Sequence, residues 1–503
     1  MNFLKKHYIF ISLIGIFLLY IITDIIILNV KGDFLLYQEA IKMGVCSHFY
    51  EILSQRQFSP SPYIYPPIYF LVSSFLCVIA GRFSYITCVY ANFIYLAIFL
   101  SSFFLLARKI IKNNSVALLA VYILFIFNYD ISIYSRYYSM EFAVGAFVCL
   151  SLYFLICTDN FTNFKRSFLF GLAFGLSMLI KWTAFIYILP PLLVYIWNAL
   201  AAARSSKSGF KTVLINIVVS FCIFLALFLY WVLTSLDLNR MYNLYCIAIT
   251  KEAQISGLST YIAVSFTALM EYILFTKFFL QGRYLIDFLK GRFRFKKFLI
   301  FWLLGPILIL SFAAGITRSR YMIPVLPALA LMSALAFNNI KEQRAKRNAL
   351  YYFLIGGALM FTLTSFWGNY ADAEYNQKVH SIKDMLKTME DKVVAKEKIH
   401  VLYLYTDSSP NFDYLVKLFK YFLAHNNFSN SELTISPDEF LSINIDRAIA
   451  QSEYILIVDK DPRELLKKIS QYNLTLVSSI KLKNDNIVAI LLENPLVGGA
   501  KID

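Results

Sequence analysis

The chain has 503 residues, 59% of them apolar, and a mean hydropathy of +0.61. About half apolar is usual for a soluble protein, so this balance argues against a soluble globular enzyme. The net charge of +16 is uneven: up to residue 369 there are 31 Lys and Arg against 12 Asp and Glu, and from 370 onward 16 against 19. A nucleic-acid partner does not explain that split. Cations concentrated between apolar runs follow the positive-inside bias and contact with anionic lipid.

In chain order, residues 8–28 form the first apolar run long enough to cross a hydrocarbon core, which takes about 20 helical residues. Lys5 and Lys6 precede it as in a signal peptide, but the run is too long and no small-x-small cleavage site follows, so it reads as a retained span. Similar runs recur at roughly 83–107, 115–129, 141–157, 166–180, 183–200, 212–235, 260–280, 298–316, 321–338 and 349–367. Residues 63–81, YIYPPIYFLVSSFLCVIAG, are the exception, because Pro66–Pro67 disrupts the helix start and suggests an interfacial or re-entrant segment. With the N-terminus inside, the basic loops 108–113, 158–166, 201–211, 282–297 and 341–347 all fall inside only if that segment does not cross. The expectation is a polytopic α-helical membrane protein with eleven crossings and an outside C-terminus. Its outer face carries 30–82, 130–140, a turn at Lys181–Trp182, 236–258 and 317–320.

Two domains are expected: 1–369 in the membrane, with a first outer loop at 30–82, and 370–503 as a small α/β module outside. Within the latter, helices are expected near 372–393, 411–424 and 461–471, and strands at 399–406, 454–459, 474–480 and 486–492. The module has no Cys cluster and no Gly-rich phosphate loop, so no chemistry is assigned to it. None of the seven cysteines falls in a C-x-x-C pair; Cys46 and Cys246 could both face outward and pair. The five histidines are scattered without ligand spacing.

The short supply of carboxylates in 1–369 focuses the search for chemistry. Asp24, near the outer end of the first span, can reach the interface. Glu271 falls within 260–280, where an ionisable group faces protein or water, as structure or as function. Asp33 follows Gly32, where the chain turns off the membrane, and DFLLYQEAIKMG reads as an amphipathic helix with Tyr37 one turn on. An N-cap role explains Asp33 equally simply. The other outer segments add NYDISIYSRYYSMEF (128–142), with Arg136, Tyr137, Tyr138 and Glu141; GLAFGLSMLIKWTAF (171–185), with Lys181; and TRSRYMIPVLP (317–327), with Arg318, Arg320 and Tyr321. Two acids and three bases (Asp33 and Glu141; Lys181, Arg318 and Arg320) therefore converge on one membrane face, where the charge bias disfavours cations.

In this order, GDFLLYQEAIKMG, YIYPPIYFL, RYYSMEF, GLAFGLSMLIK and RSRYMIPVLPALAL resemble the GT-C fold glycosyltransferases that use polyprenyl-phosphate sugars, over about 20–340. Protein O-mannosyltransferases and lipid-A aminoarabinose transferases, as in glycosyltransferase family 39, are the nearest types. The chain departs from them in having Phe34 after Asp33, Glu141 as the second acid, and Tyr65 before the prolines. The resemblance implies inverting transfer of a sugar from a lipid-phosphate donor to a protein, lipid or glycan acceptor outside a bacterial inner membrane. It implies Asp33 as general base, Glu141 orienting, and Arg318, Arg320 and Lys181 on the donor phosphate. Tyr37, Tyr65, Arg136, Tyr137, Tyr138 and Tyr321 would line the groove. Some relatives use a divalent ion, Mg or Mn, and others none. Two competing readings are a non-catalytic flippase or transporter of lipid-linked sugars and an O-antigen-type polymerase or ligase.

Overall fold

A computed structural model of the chain describes residues 2–31, 45–46, 49–50, 53, 66–81, 83–204, 207–235, 266, 269–270, 278–314, 319–371, 401–405, 434–435, 454–459, 466–467, 469–472, 474–482 and 487–494. The chain divides into two compact units. Met1–Val30, Phe49–Gly81 and Ile86–Gly368 form the first; Lys31–His48, Arg82–Tyr85 and Asn369–Asp503 form the second.

The first unit is helical because its apolar runs must satisfy their backbone polar groups internally once water is removed. Helix α1 spans Asn2–Lys31, α2 Ile68–Ile79, α3 Tyr85–Val89, α4 Ala91–Ile111 and α5 Asn114–Tyr122. A π turn at Ile123–Phe127 follows, then α6 Tyr129–Tyr134, α7 Met140–Cys157, α8 Phe164–Ile180, α9 Ala184–Ala203 and α10 Lys207–Ser235. The last described helices are α11 Phe278–Lys290, α12 Lys296–Ala314, α13 Leu326–Asn338 and α14 Gln343–Ala371, with a 3-10 turn at Ser319–Met322. Among the described residues, five helical stretches are long and apolar enough to cross a membrane. Each expected run coincides with a helix except 260–280, most of which lies outside the described residues. Helix α2 has 12 residues, about 18 Å at 1.5 Å per residue and short of a hydrocarbon core. It follows Pro66–Pro67, as the proline pair suggests.

Small residues set how closely the helices approach. A Cβ at Gly171 of α8 would stand 2.5 Å from the Ser220 carbonyl oxygen of α10, and one at Gly175 would stand 2.6 Å from the Leu227 side chain. The Ser220 hydroxyl donates across the same seam to the Ser167 carbonyl at 2.8 Å. Gly305 of α12 likewise admits Pro190 of α9, where a Cβ would meet the ring at 2.4 Å. On α7, Gly145 lets Ile323 come within 3.1 Å of where a Cβ would sit. That contact brings the segment after the 3-10 turn close to the first turns of α7.

The second unit contains a five-stranded sheet in the order β2-β1-β3-β5-β4: β1 Val401–Tyr405, β2 Thr434–Ile435, β3 Tyr454–Asp459, β4 Thr475–Leu482 and β5 Ile487–Glu493. β1 runs parallel to β2 and β3, while β5 runs antiparallel to β3 and β4. Four of these strands fall within the expected apolar runs at 399–406, 454–459, 474–480 and 486–492, give or take two residues; β2, with two residues, gives no such signal. The helices expected at 372–393 and 411–424 lie outside the described residues, and in 461–471 Leu466, Lys467 and Ile469 are helical.

Candidate functional site

Glu141 sits in the first turn of α7, where the helix dipole favours a carboxylate. Its N-cap residue Ser139 donates its hydroxyl to Glu141 Oε2 at 2.8 Å and makes no cap to a backbone N–H. Oε1 receives two cations. Lys181 Nζ donates to it at 2.8 Å, and Arg320 Nε stands 3.2 Å away. Lys181 reaches it because α8 ends at Ile180 and the next residue is extended, with φ −159° and ψ 125°. Arg320 reaches it from the 3-10 turn. That turn is fixed by Tyr187 of α9 donating to the Tyr321 carbonyl at 3.0 Å and by Trp302 of α12 donating to the Pro324 carbonyl at 3.1 Å.

The Tyr321 ring completes the cluster, with Lys181 Nζ 4.9 Å and the Arg320 guanidinium carbon 5.3 Å from its centroid. The Glu141 and Lys181 side chains are 3% and 9% exposed, and that of Arg320 is 17% exposed, so Arg320 is the member open to a ligand. Burial alone would lower both cationic pKa values. The Glu141 carboxylate and Tyr321 more than reverse this, and both are raised above their ordinary values. The two cations stay charged at neutral pH and share one carboxylate, so the cluster carries one surplus positive charge.

Arg136, expected to line a groove, is buried instead. Its Nε donates to Asp24 Oδ1 at 2.8 Å and its Nη2 to Ser132 Oγ at 2.8 Å. Asp24, read as reaching the interface, is fully buried on α1 and serves as this partner. Charge neutralisation inside the bundle outweighs snorkelling here, because an ionised group so placed needs a paired partner. Asn92 of α4 holds the same loop, donating to the Ser135 and Tyr137 carbonyls at 2.9 and 2.8 Å. Tyr138 is also fully buried, its ring 4.8 Å from that of Tyr69. An aromatic cluster thus claims the side chain expected to face substrate. Tyr137 is half-buried, with its ring 6.1 Å from Tyr134.

Asp33, Tyr37, Tyr65 and Arg318 lie outside the described residues, as do Cys246 and Glu271. Cys46 is buried. The sequence reading missed Asp24, Ser139 and Asn92 as residues that build the site's frame. Asp24 had a signal, being a carboxylate within a span. Ser139 and Asn92 have ordinary places in an apolar helix or its cap. Among the described residues, no three His, Cys, Asp or Glu side chains gather as a metal would require. Both Glu141 oxygens are engaged, Oε1 by Lys181 and Arg320 and Oε2 by Ser139.

No family model and no curated protein matches the chain. Solved structures do. The chain is similar to the crystal structure of ArnT from Cupriavidus metallidurans bound to undecaprenyl phosphate, at 10% identity and a TM-score of 0.62, over 95% of this chain and 97% of that one. The apo state of the same protein matches at 10% identity and a TM-score of 0.61, over 95% and 98%. The likeness runs along nearly the whole of both chains and shows the fold: this is a polytopic helical integral membrane protein of the GT-C type.

Proposed function

We propose that the chain is a membrane glycosyltransferase that takes a sugar from a polyprenyl-phosphate donor and transfers it, with inversion, to an acceptor on the extracytoplasmic side. The observation that carries this reading is the surplus positive charge of the Glu141–Lys181–Arg320 cluster, set at the ends of helices in a fold shared with a protein crystallised with undecaprenyl phosphate. A lipid phosphate held at the membrane surface needs such a charge at that height.

In the proposed reaction the acceptor oxygen forms a bond to the anomeric carbon as the bond from that carbon to the phosphate oxygen breaks. The electron pair leaves with the lipid phosphate. Arg320, with Lys181 behind it and Arg318 as a further candidate, meets the growing charge by charge-assisted hydrogen bonding. Glu141 holds the two cations in place, a role its geometry favours over orienting the acceptor. The acceptor proton passes to Asp33, which acts late, as the attacking hydroxyl acidifies. Tyr321 and Tyr137 flank the path of the sugar. No step is routed through a metal.

Incubating the purified full chain with polyprenyl-phosphate sugars in lipid tests this reading. Wild type should release polyprenyl phosphate with a labelled sugar on the acceptor, and Asp33→Asn should lose at least about 10²-fold of that rate. Transfer retained in Asp33→Asn would remove Asp33 as the base. Movement of the donor between leaflets without any transfer would replace the enzyme by a flippase.

A further inference from the structure

At the other end of α7 and α8 from Glu141 and Lys181, three loops close around a cavity of about 980 Å³. Since α8 has 17 residues, the two sites are separated by about 25 Å of helix. Lys109 and Lys112 enter the wall from the end of α4, Arg292, Arg294, Lys296 and Lys297 from the start of α12, and Asp159 is the one carboxylate lining it. Lys296 is engaged, donating to the Gly291 and Leu289 carbonyls. Among the described residues the other five cations have no carboxylate partner within ion-pair distance.

The positive-inside bias accounts for the number of these cations but not for their convergence. Spread over separate loops they would repel less; here they share one concavity with Phe293, Phe295 and Phe298. Two of them, Lys296 and Lys297, open α12, where the helix dipole disfavours cations and favours an anion. The wall is also backbone-strained. Lys112, Asp159 and Asn160 have φ of 63°, 48° and 58°, and Phe161 beside them has 60°, all in the left-handed region that non-glycine residues seldom adopt. The loop is nevertheless fixed, with the Asn160 N–H donating to the Tyr195 hydroxyl at 3.0 Å and Asn216 donating to the Phe161 carbonyl at 2.7 Å. The clustered like charges and the opposing helix dipole both become favourable when a multiply charged anion occupies the cavity.

We infer that this cavity is a binding site for a ligand carrying two or more phosphate charges, separate from the proposed transfer site and independent of that reading. The same chemistry is offered by a diphosphate lipid headgroup and by a soluble pyrophosphate group.

The test uses the purified full chain, with inorganic pyrophosphate titrated in phosphatidylcholine nanodiscs and, separately, retained cardiolipin counted by native mass spectrometry. Arg292→Ala/Arg294→Ala/Lys297→Ala removes three exposed cations that take no part in the Glu141 cluster, and Arg344→Ala serves as a control for general surface charge. Saturable binding of at least one probe, weakened at least tenfold in the triple variant and unchanged in Arg344→Ala, is the expected result. Binding of pyrophosphate alone assigns a soluble ligand; retention of cardiolipin alone assigns a headgroup. If neither probe binds saturably, or if both the triple variant and the single variant Arg294→Gln bind as wild type, the inference is overturned.

Discussion

Replacing Glu141 by Gln keeps the shape of the site and removes the one charge that Lys181 and Arg320 share. Both nitrogens stand on the same oxygen, at 2.8 and 3.2 Å, so they are at most about 6 Å apart. At an effective dielectric of about 20, two unit charges at that separation repel by about 3 kcal/mol. Removing one partner of a buried ionic cluster typically costs about 3–5 kcal/mol, a large part of a total stability of about 5–15. Glu141→Gln should therefore lower the thermal unfolding midpoint of the purified protein markedly. Adding Lys181→Met should return part of the loss, with a coupling of at least about 1 kcal/mol in the double-mutant cycle. A Glu141→Gln protein within about 0.5 kcal/mol of wild type, or strictly additive single changes, would refute the shared-carboxylate account.

Three further outcomes are expected. Gly171→Ala should cost about 1–3 kcal/mol in the same unfolding assay, because its Cβ would press on the Ser220 backbone; Gly15→Ala, with nothing within 4 Å, should be neutral or slightly stabilising. Asp24→Asn should destabilise by about 3–5 kcal/mol by leaving Arg136 buried without its counter-charge, while Asp24→Leu combined with Arg136→Met should recover most of that loss. A protease added outside intact cells should cut after residue 370 and leave the basic loops 282–297 and 341–347 intact; cleavage in those loops would reverse the topology.

The helices were legible because a stretch of about 20 apolar residues is a local property, and the Pro66–Pro67 pair marks where helix α2 begins. Strands β1, β3, β4 and β5 were legible for a similar reason, as short runs rich in apolar and β-branched residues. The convergence of Glu141, Lys181 and Arg320 could be expected from loop charge, since cations on the face expected to be outer need an explanation. That Glu141 clamps both cations could not, because it depends on an extended Lys181 backbone and on a 3-10 turn held by Tyr187 and Trp302. The Asp24–Arg136 pair joins residues 112 apart in sequence, a distance no local pattern spans. The burial of Tyr138 likewise depends on Tyr69 from a different helix.

The account stands on whether the surplus charge at Arg320 holds a lipid phosphate. Binding of undecaprenyl phosphate and of the neutral alcohol undecaprenol to the purified protein, wild type beside Arg320→Gln, measures that directly. The phosphate form should bind wild type at least about tenfold more tightly than the alcohol, a difference of about 1.4 kcal/mol, and Arg320→Gln should erase most of the preference. Equal affinity for the two lipids, or a preference untouched in Arg320→Gln, would contradict it.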